Sequence, residues 1–379
     1  MTERPALGAA SVVEYTADGP GWPLDVGPYF RTLVERGPDA LIENAEADVR
    51  ALVVGNDTIP LVVCEPRASN SYVVSPLAHY VWYTREEIIK RNTSTWACAF
   101  EASFSAVGAL LRFCEIDRVV YVNNWLYSTN PSPVLARESQ RRLTEYLVDR
   151  YPRHAIVQRS VNPTLNPSYG DDLRSIGYRM VRSRRVHVIH TASDHFRKRT
   201  NVKLDRRALR DSPYEIIDGA RITEGDLPRL VELYRALYLD KHSRINPQLA
   251  EGFFRATLAD GSLCYRAWRR DGRIDAFASF YVQGGVVTGV AVGYDTAQPA
   301  DLALYRQIIA KLIEEALERG ATLNLSSGAS EFKALRGALE RIEYDAVFDS
   351  HLSARRRLAW RLVALQGRLW RELRGVRRP

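Results

Sequence analysis

Apolar residues along the chain fall into two successive series of strand-like and helix-like segments. In the first, 51–54 and 59–64 read as strands, split by Gly55-Asn56-Asp57, a hairpin signal. A helix is expected over 97–114, a strand over 119–126 and a proline-containing loop over 128–133. Next comes a helix over 134–150, with Leu135, Leu143, Tyr146 and Leu147 on one face. A short strand at 154–157, a loop with Asn162 and Asn166, a short helix near 171–176 and a long alternating strand at 178–190 complete the series.

The second series repeats that order. Helices over 226–239 and 249–258 lead into strands at 263–268 and 273–282, which flank the hairpin dipeptide Asp271-Gly272. A strand at 286–294 and a proline loop at 295–299 precede a helix over 302–319. That helix carries Tyr305, Ile308, Ile309, Leu312 and Ala316 on one face and ends at Gly320. A strand at 322–325, a helix at 330–339 and a strand at 343–348 follow. Aligning His154 with Thr322 and Val157 with Leu325 gives a constant offset of 168. The pattern predicts a duplicated α/β (α+β) fold with mixed, mostly antiparallel sheets, and excludes a βαβ series. The expected division is a first domain at 1–192, a basic linker helix at 193–212, a second domain at 213–352 and a C-terminal segment at 353–379.

Charge sharpens this picture. The chain has 379 residues and a net charge of +8. Nine arginines and one glutamate in 353–379 account for all of it, so the body is neutral. The tail has the pattern of a basic amphipathic helix, with Leu358, Leu362, Leu365, Leu369 and Leu373 in a stripe. Such a helix packs on the body, lies on an anionic membrane surface or grips RNA phosphates. Four cysteines without a C-x-x-C pair exclude a disulfide scaffold and a zinc knuckle. No signal-peptide pattern opens the sequence and no apolar run is long enough to span a bilayer, so a cytoplasmic protein, peripheral to a membrane at most, is expected.

There is no P-loop, dinucleotide fingerprint, H-E-x-x-H or G-x-S-x-G, and no metal site is expected. Asn123-Asn124-Trp125 through Asn130 forms a polar, aromatic strand end, so Asn124, Trp125 and Asn130 are candidate substrate contacts, with plain turn chemistry as the alternative. Lys241 and His242, after a helix, are candidates for holding a substrate anion, or simply satisfy a helix C-terminus.

Leu302 through Tyr305, then Leu325-Ser326-Ser327-Gly328, Glu331-Phe332-Lys333 and Arg336-Gly337 resemble the GNAT acyltransferases. The duplication resembles the tandem-GNAT group, which includes Fem-type peptidyltransferases and acetyltransferases associated with polysaccharide and the cell envelope. The basic 197–210 segment is similar to the helix opening the second domain of that group. The resemblance implies two GNAT-like domains and an N-acyltransferase acting on an amine-bearing substrate, with no bound cofactor. Its donor would be an acyl-CoA, an acyl carrier or an aminoacyl-tRNA. It implies that Lys333, Asp295 and Tyr305 are catalytic, as oxyanion holder, general base and proton donor. Tyr294, Ser326, Ser327 and Gly328 would contact substrate. Loops 128–132 and 295–300 lack the glycines with which GNAT proteins wrap the coenzyme A pyrophosphate. That absence favours other donors, tRNA among them. A degenerate, non-catalytic module held at a membrane is a third reading, and the first half is expected to serve as a substrate platform.

Overall fold

The computed structural model describes residues 12–19, 26–91, 97–133 and 135–375, without the side chains of 88–91, 97–100 and 367–375. Val134, Leu369, Trp370 and Leu373 therefore lie outside what is described, as does much of the extreme N-terminus.

The first half contains β1 (Val12–Tyr15), α1 (Pro28–Arg36), β2 (Asp48–Val54), β3 (Asp57–Cys64), α2 (Thr84–Arg91), α3 (Ala97–Phe113), β4 (Val119–Val122), α4 (Arg137–Arg150), β5 (Ala155–Val161), α5 (Pro167–Ser175) and β6 (Arg179–Ile189). The second contains α6 (Thr200–Arg210), β7 (Glu215–Asp218), α7 (Leu227–Arg235), α8 (Glu251–Ala259), β8 (Cys264–Arg270), β9 (Arg273–Gln283), β10 (Val286–Tyr294), α9 (Leu304–Glu318), β11 (Thr322–Asn324), α10 (Ser330–Ala334) and β12 (Leu339–Phe348). Helix α11 (Ala354–Gly375) follows. A π-helical turn precedes α2 at Ala78–Tyr83, and another follows α7 at Ala236–Asp240.

All twelve strands form one mixed sheet in the order β1-β2-β3-β4-β5-β12-β6-β11-β10-β9-β8-β7. The duplication is visible in its register. Val119 pairs with Ala155 in the parallel β4–β5 ladder, and Val286 pairs with Thr322 in the parallel β10–β11 ladder, 36 residues apart in each case. The structural offset between halves is thus 167, one less than the alignment of His154 with Thr322 gives.

The halves do not close on themselves. β12, the last strand of the second half, pairs with β5 of the first, while β6 pairs with β11 of the second. β6 and β12 run antiparallel to each other at the middle of the sheet. One face of the sheet carries a core shared by both halves, in which Tyr29 of α1 stacks on Tyr127 and meets Phe253 of α8 edge-on at 5.6 Å. Two further cores hold Leu143, Leu147 and Leu173 in the first half and Ile308, Leu312 and Ile313 in the second. The basic segment expected as a linker forms α6, and its Val202 and Leu209 are buried in the second-half core. Among the described residues no helix is long and apolar enough to cross a membrane.

Candidate functional site

β10 and β11 stay paired for only three residues, Val286 to Thr288 against Thr322 to Asn324. β11 then turns away: the Asn324 side chain accepts the Ser326 amide at 2.9 Å, and Ser326 adopts φ 57°. β10 runs on to Tyr294 through a bulge at Gly289/Ala291, where the Ser279 hydroxyl bridges the Ala291 amide and carbonyl at 3.1 Å each. Gly293 is required here, because a Cβ would lie 2.5 Å from Phe277 Cε1 and 2.9 Å from the Leu233 backbone of α7. The two strands splay, and a cleft of about 370 Å³ opens at the head of α9.

Tyr294 and Tyr305 line the cleft with ring centroids 5.8 Å apart, and Phe332 lies 4.8 Å beyond Tyr305. Burial, then the neighbouring Tyr294, push the Tyr305 hydroxyl up to about 12, so it stays protonated at neutral pH. Ala303 heads α9 at φ 52°, the left-handed conformation that a glycine turn would supply. No side chain caps the first turn of α9, so its amides and the positive end of its dipole face the cleft. Lys241 and Arg306 flank that end. Arg306 is held by Asp205 of α6 at 2.7 Å, and the same buried carboxylate takes two hydrogen bonds from Arg336.

The structure separates the remaining candidates. Asp295 lines the cleft, but its carboxylate accepts Arg229 at 2.6 Å, Arg273 at 3.3 Å and the Ala297 amide at 2.9 Å. Burial alone would raise its pKa, yet that amide and the two guanidinium groups hold it below the ordinary carboxylate range. So held, Asp295 is a weak proton acceptor and a strong anchor for the loop.

Lys333 is buried, and its ammonium donates to the carbonyls of Leu325 (2.8 Å), Ser326 (3.3 Å) and Ser327 (2.7 Å). Burial first, then the Arg184 charge, lower it to about 7. It locks the turn after β11 rather than reaching into the cleft. Ser326 bonds Thr129 across the halves at 2.9 Å, and Ser327 and Gly328 are exposed beside it. His242, next to Lys241, is exposed.

Asn124 and Asn130 are buried, and their polar groups are spent inside the first half. Asn124 donates to the Val73 carbonyl and accepts from the Leu126 amide, Asn130 and Arg159, all within 3.1 Å. Asn130 accepts the Trp125 amide, and the Trp125 indole donates to Asn123. The expected polar mouth is a filled interior: the loop folds back into the gap between β4 and β5.

Sequence reasoning missed Tyr238. It lies on the second π-turn and stacks on Tyr234 at 4.5 Å. Tyr83, on the first π-turn, lies in the same electrostatic neighbourhood as Tyr72, Tyr238 and Arg184. The common signal in the sequence was a tyrosine late in an aromatic-rich turn of each half; a helix was expected over the second turn and no element over the first. Arg184, from the middle of β6, joins these elements by donating to Glu343 of β12 at 2.8 Å and to Thr129 at 2.5 Å. Among the described residues no three His, Cys, Asp or Glu side chains are grouped as metal ligands.

A family model described as an acetyltransferase (GNAT) domain matches residues 197–334, from just before α6 to the end of α10. No curated protein matches the chain. Among solved structures, FemX is similar over 84% of this chain and 90% of its own, with a TM-score of 0.51 at 10% identity. The C-terminal domain of a putative lysylphosphatidylglycerol synthetase from Agrobacterium fabrum is 15% identical over 65% of this chain and 80% of its own, with a TM-score of 0.44. A tandem GNAT protein from the clavulanic acid biosynthesis pathway is 10% identical over 89% and 98%, with a TM-score of 0.39. The family match falls on the half that holds the open cleft, so residues 197–334 carry a GNAT-type acetyltransferase domain.

Proposed function

We propose that the chain transfers an acyl group from a thioester donor to the amine of a small-molecule or envelope substrate, at the β10–β11 cleft. The observation that carries this reading is the uncapped head of α9, opening into that cleft between Lys241 and Arg306. Such a terminus suits an anionic group such as a diphosphate. The left-handed Ala303 supplies the turn without the glycines, so their absence does not argue against acyl-CoA. The amine forms the new C–N bond as the C–S bond breaks. Tyr305, kept protonated, gives its proton to the departing thiolate, and the amine's surplus proton leaves to water.

The exposed Lys203, Arg206, Arg207 and Arg210 of α6 support a second reading, an aminoacyl-tRNA donor as in Fem-type transfer. Native mass spectrometry with acetyl-CoA and bulk tRNA separates the two. A coenzyme A adduct is expected to survive in Tyr305→Phe, with turnover down about a hundredfold. Retained tRNA without a coenzyme adduct would put the second reading first.

A further inference from the structure

The tail helix is docked on the body by one face. Arg356, Ala359, Trp360 and Val363 of α11 are buried. Trp360 meets Tyr80 of the first π-turn edge-on at 6.3 Å, and Arg356 donates to Glu115 and to the Arg153 carbonyl. Of the leucine stripe, Leu362 packs against the core, whereas Leu358 is 42% exposed and Leu365 is 51% exposed.

α3 does the same. It buries Phe104, Gly108 and Leu111, the glycine letting the Trp82 ring lie against the helix. Its other side leaves Val107 39%, Leu110 41% and Phe113 66% exposed. The C-terminal end of α3 adjoins the start of α11, since the Arg355 guanidinium lies 5.1 Å from the Phe113 ring centroid and donates to the Phe113 carbonyl. Large apolar side chains gathered beside arginines mark a surface that is covered in use.

Charge selects the covering partner. The 353–379 segment has nine arginines against one acid. A second copy would set one arginine row against another, which like-charge repulsion opposes. A neutral apolar partner would gain nothing from so basic a segment. An anionic bilayer surface supplies phosphates for a basic segment and hydrocarbon beneath them for exposed apolar side chains such as Phe113, Leu110, Leu358 and Leu365. We propose that the face built by α3 and α11 docks this acyltransferase on an anionic membrane surface. Nothing in this depends on the acyl donor or on the cleft.

The test is flotation of the full chain with phosphatidylcholine vesicles, with and without about 30% phosphatidylglycerol. Binding is expected only to the anionic vesicles, and is expected to weaken as salt rises. Phe113→Ser and Leu365→Ser, both at exposed positions, should each weaken it about tenfold while the melting temperature is unchanged. Should either variant lose its fold, the other still decides. The proposal is overturned if anionic vesicles do not retain the protein, if both serine variants bind as the parent does, or if retention needs RNA instead of lipid. A dimer that both variants dissociate would also overturn it, in favour of a second copy.

Discussion

The two halves open the same gap in the same way and then treat it oppositely. In each, two parallel strands with partners 36 residues apart diverge after a short ladder. In the first half, left-handed residues at Asn123 (φ 54°) and Leu126 (φ 59°) curl the following loop back into the gap, where the Asn124–Asn130–Arg159 network fills it. In the second, Asp295 is pinned by Arg229 and Arg273, the left-handed residue comes only at Ala303, and the gap remains a cleft lined by tyrosines. Whether a duplicated gap is filled or left open thus follows from where one loop turns, while the strands stay alike.

The largest effect is expected from outside the open cleft. Asp205→Ala takes the shared carboxylate from Arg306 and Arg336 and leaves Arg336, only 3% exposed, with its charge unpaired. Denaturant unfolding should lose about 3–5 kcal/mol. The surviving fold should hold anionic donors more weakly as Arg306 comes loose. In the filled cleft, Asn124→Ala removes four hydrogen bonds and should cost about 2–3 kcal/mol with turnover per folded molecule unchanged. A stable Asn124 variant with lost activity would erase the distinction between the halves.

Lys333 gives a pH test. Its folded value of about 7 lies below the ordinary lysine value of about 10.4, so between the two the unfolded chain binds the additional proton. Stability should therefore rise with pH across that window, by at most about 1.4 kcal/mol per pH unit. Lys333→Met should remove that slope in melts run across the same range. The smallest effect is a gain. Ala303→Gly relieves a left-handed alanine and should add about 1 kcal/mol, measured by urea unfolding, without closing the cleft.

The repeated order of elements and the helical face of α9 were legible because burial imposes period 2 or 3.6 on the residues themselves. The π-turns were not, since one residue added to a helical turn leaves that periodicity nearly intact. Tyr305 and Tyr294 could be placed at the cleft from their positions at a helix start and a strand end. Asp295 and Asn124 could not be assigned from type alone. The same carboxylate or amide serves chemistry or anchors a loop according to neighbours distant in sequence, such as Arg229 for one and Arg159 for the other. The tail stripe was legible as apolar, but which face packs was not, because α11 has two apolar faces and the burial of Trp360 and Val363 decides between them.

The exchange of β6 and β12 sets a timetable for synthesis on the ribosome. β5 emerges with the first half, but its partner β12 begins only at Leu339. At roughly 5–20 residues per second, the intervening stretch keeps that edge of the nascent sheet waiting on the order of ten to forty seconds. Until then the first half carries an unpaired, apolar strand edge, and β6 lacks its β12 partner as well. A nascent chain arrested before Leu339 should thus engage chaperones, and the two halves expressed as separate polypeptides should become soluble only when made together.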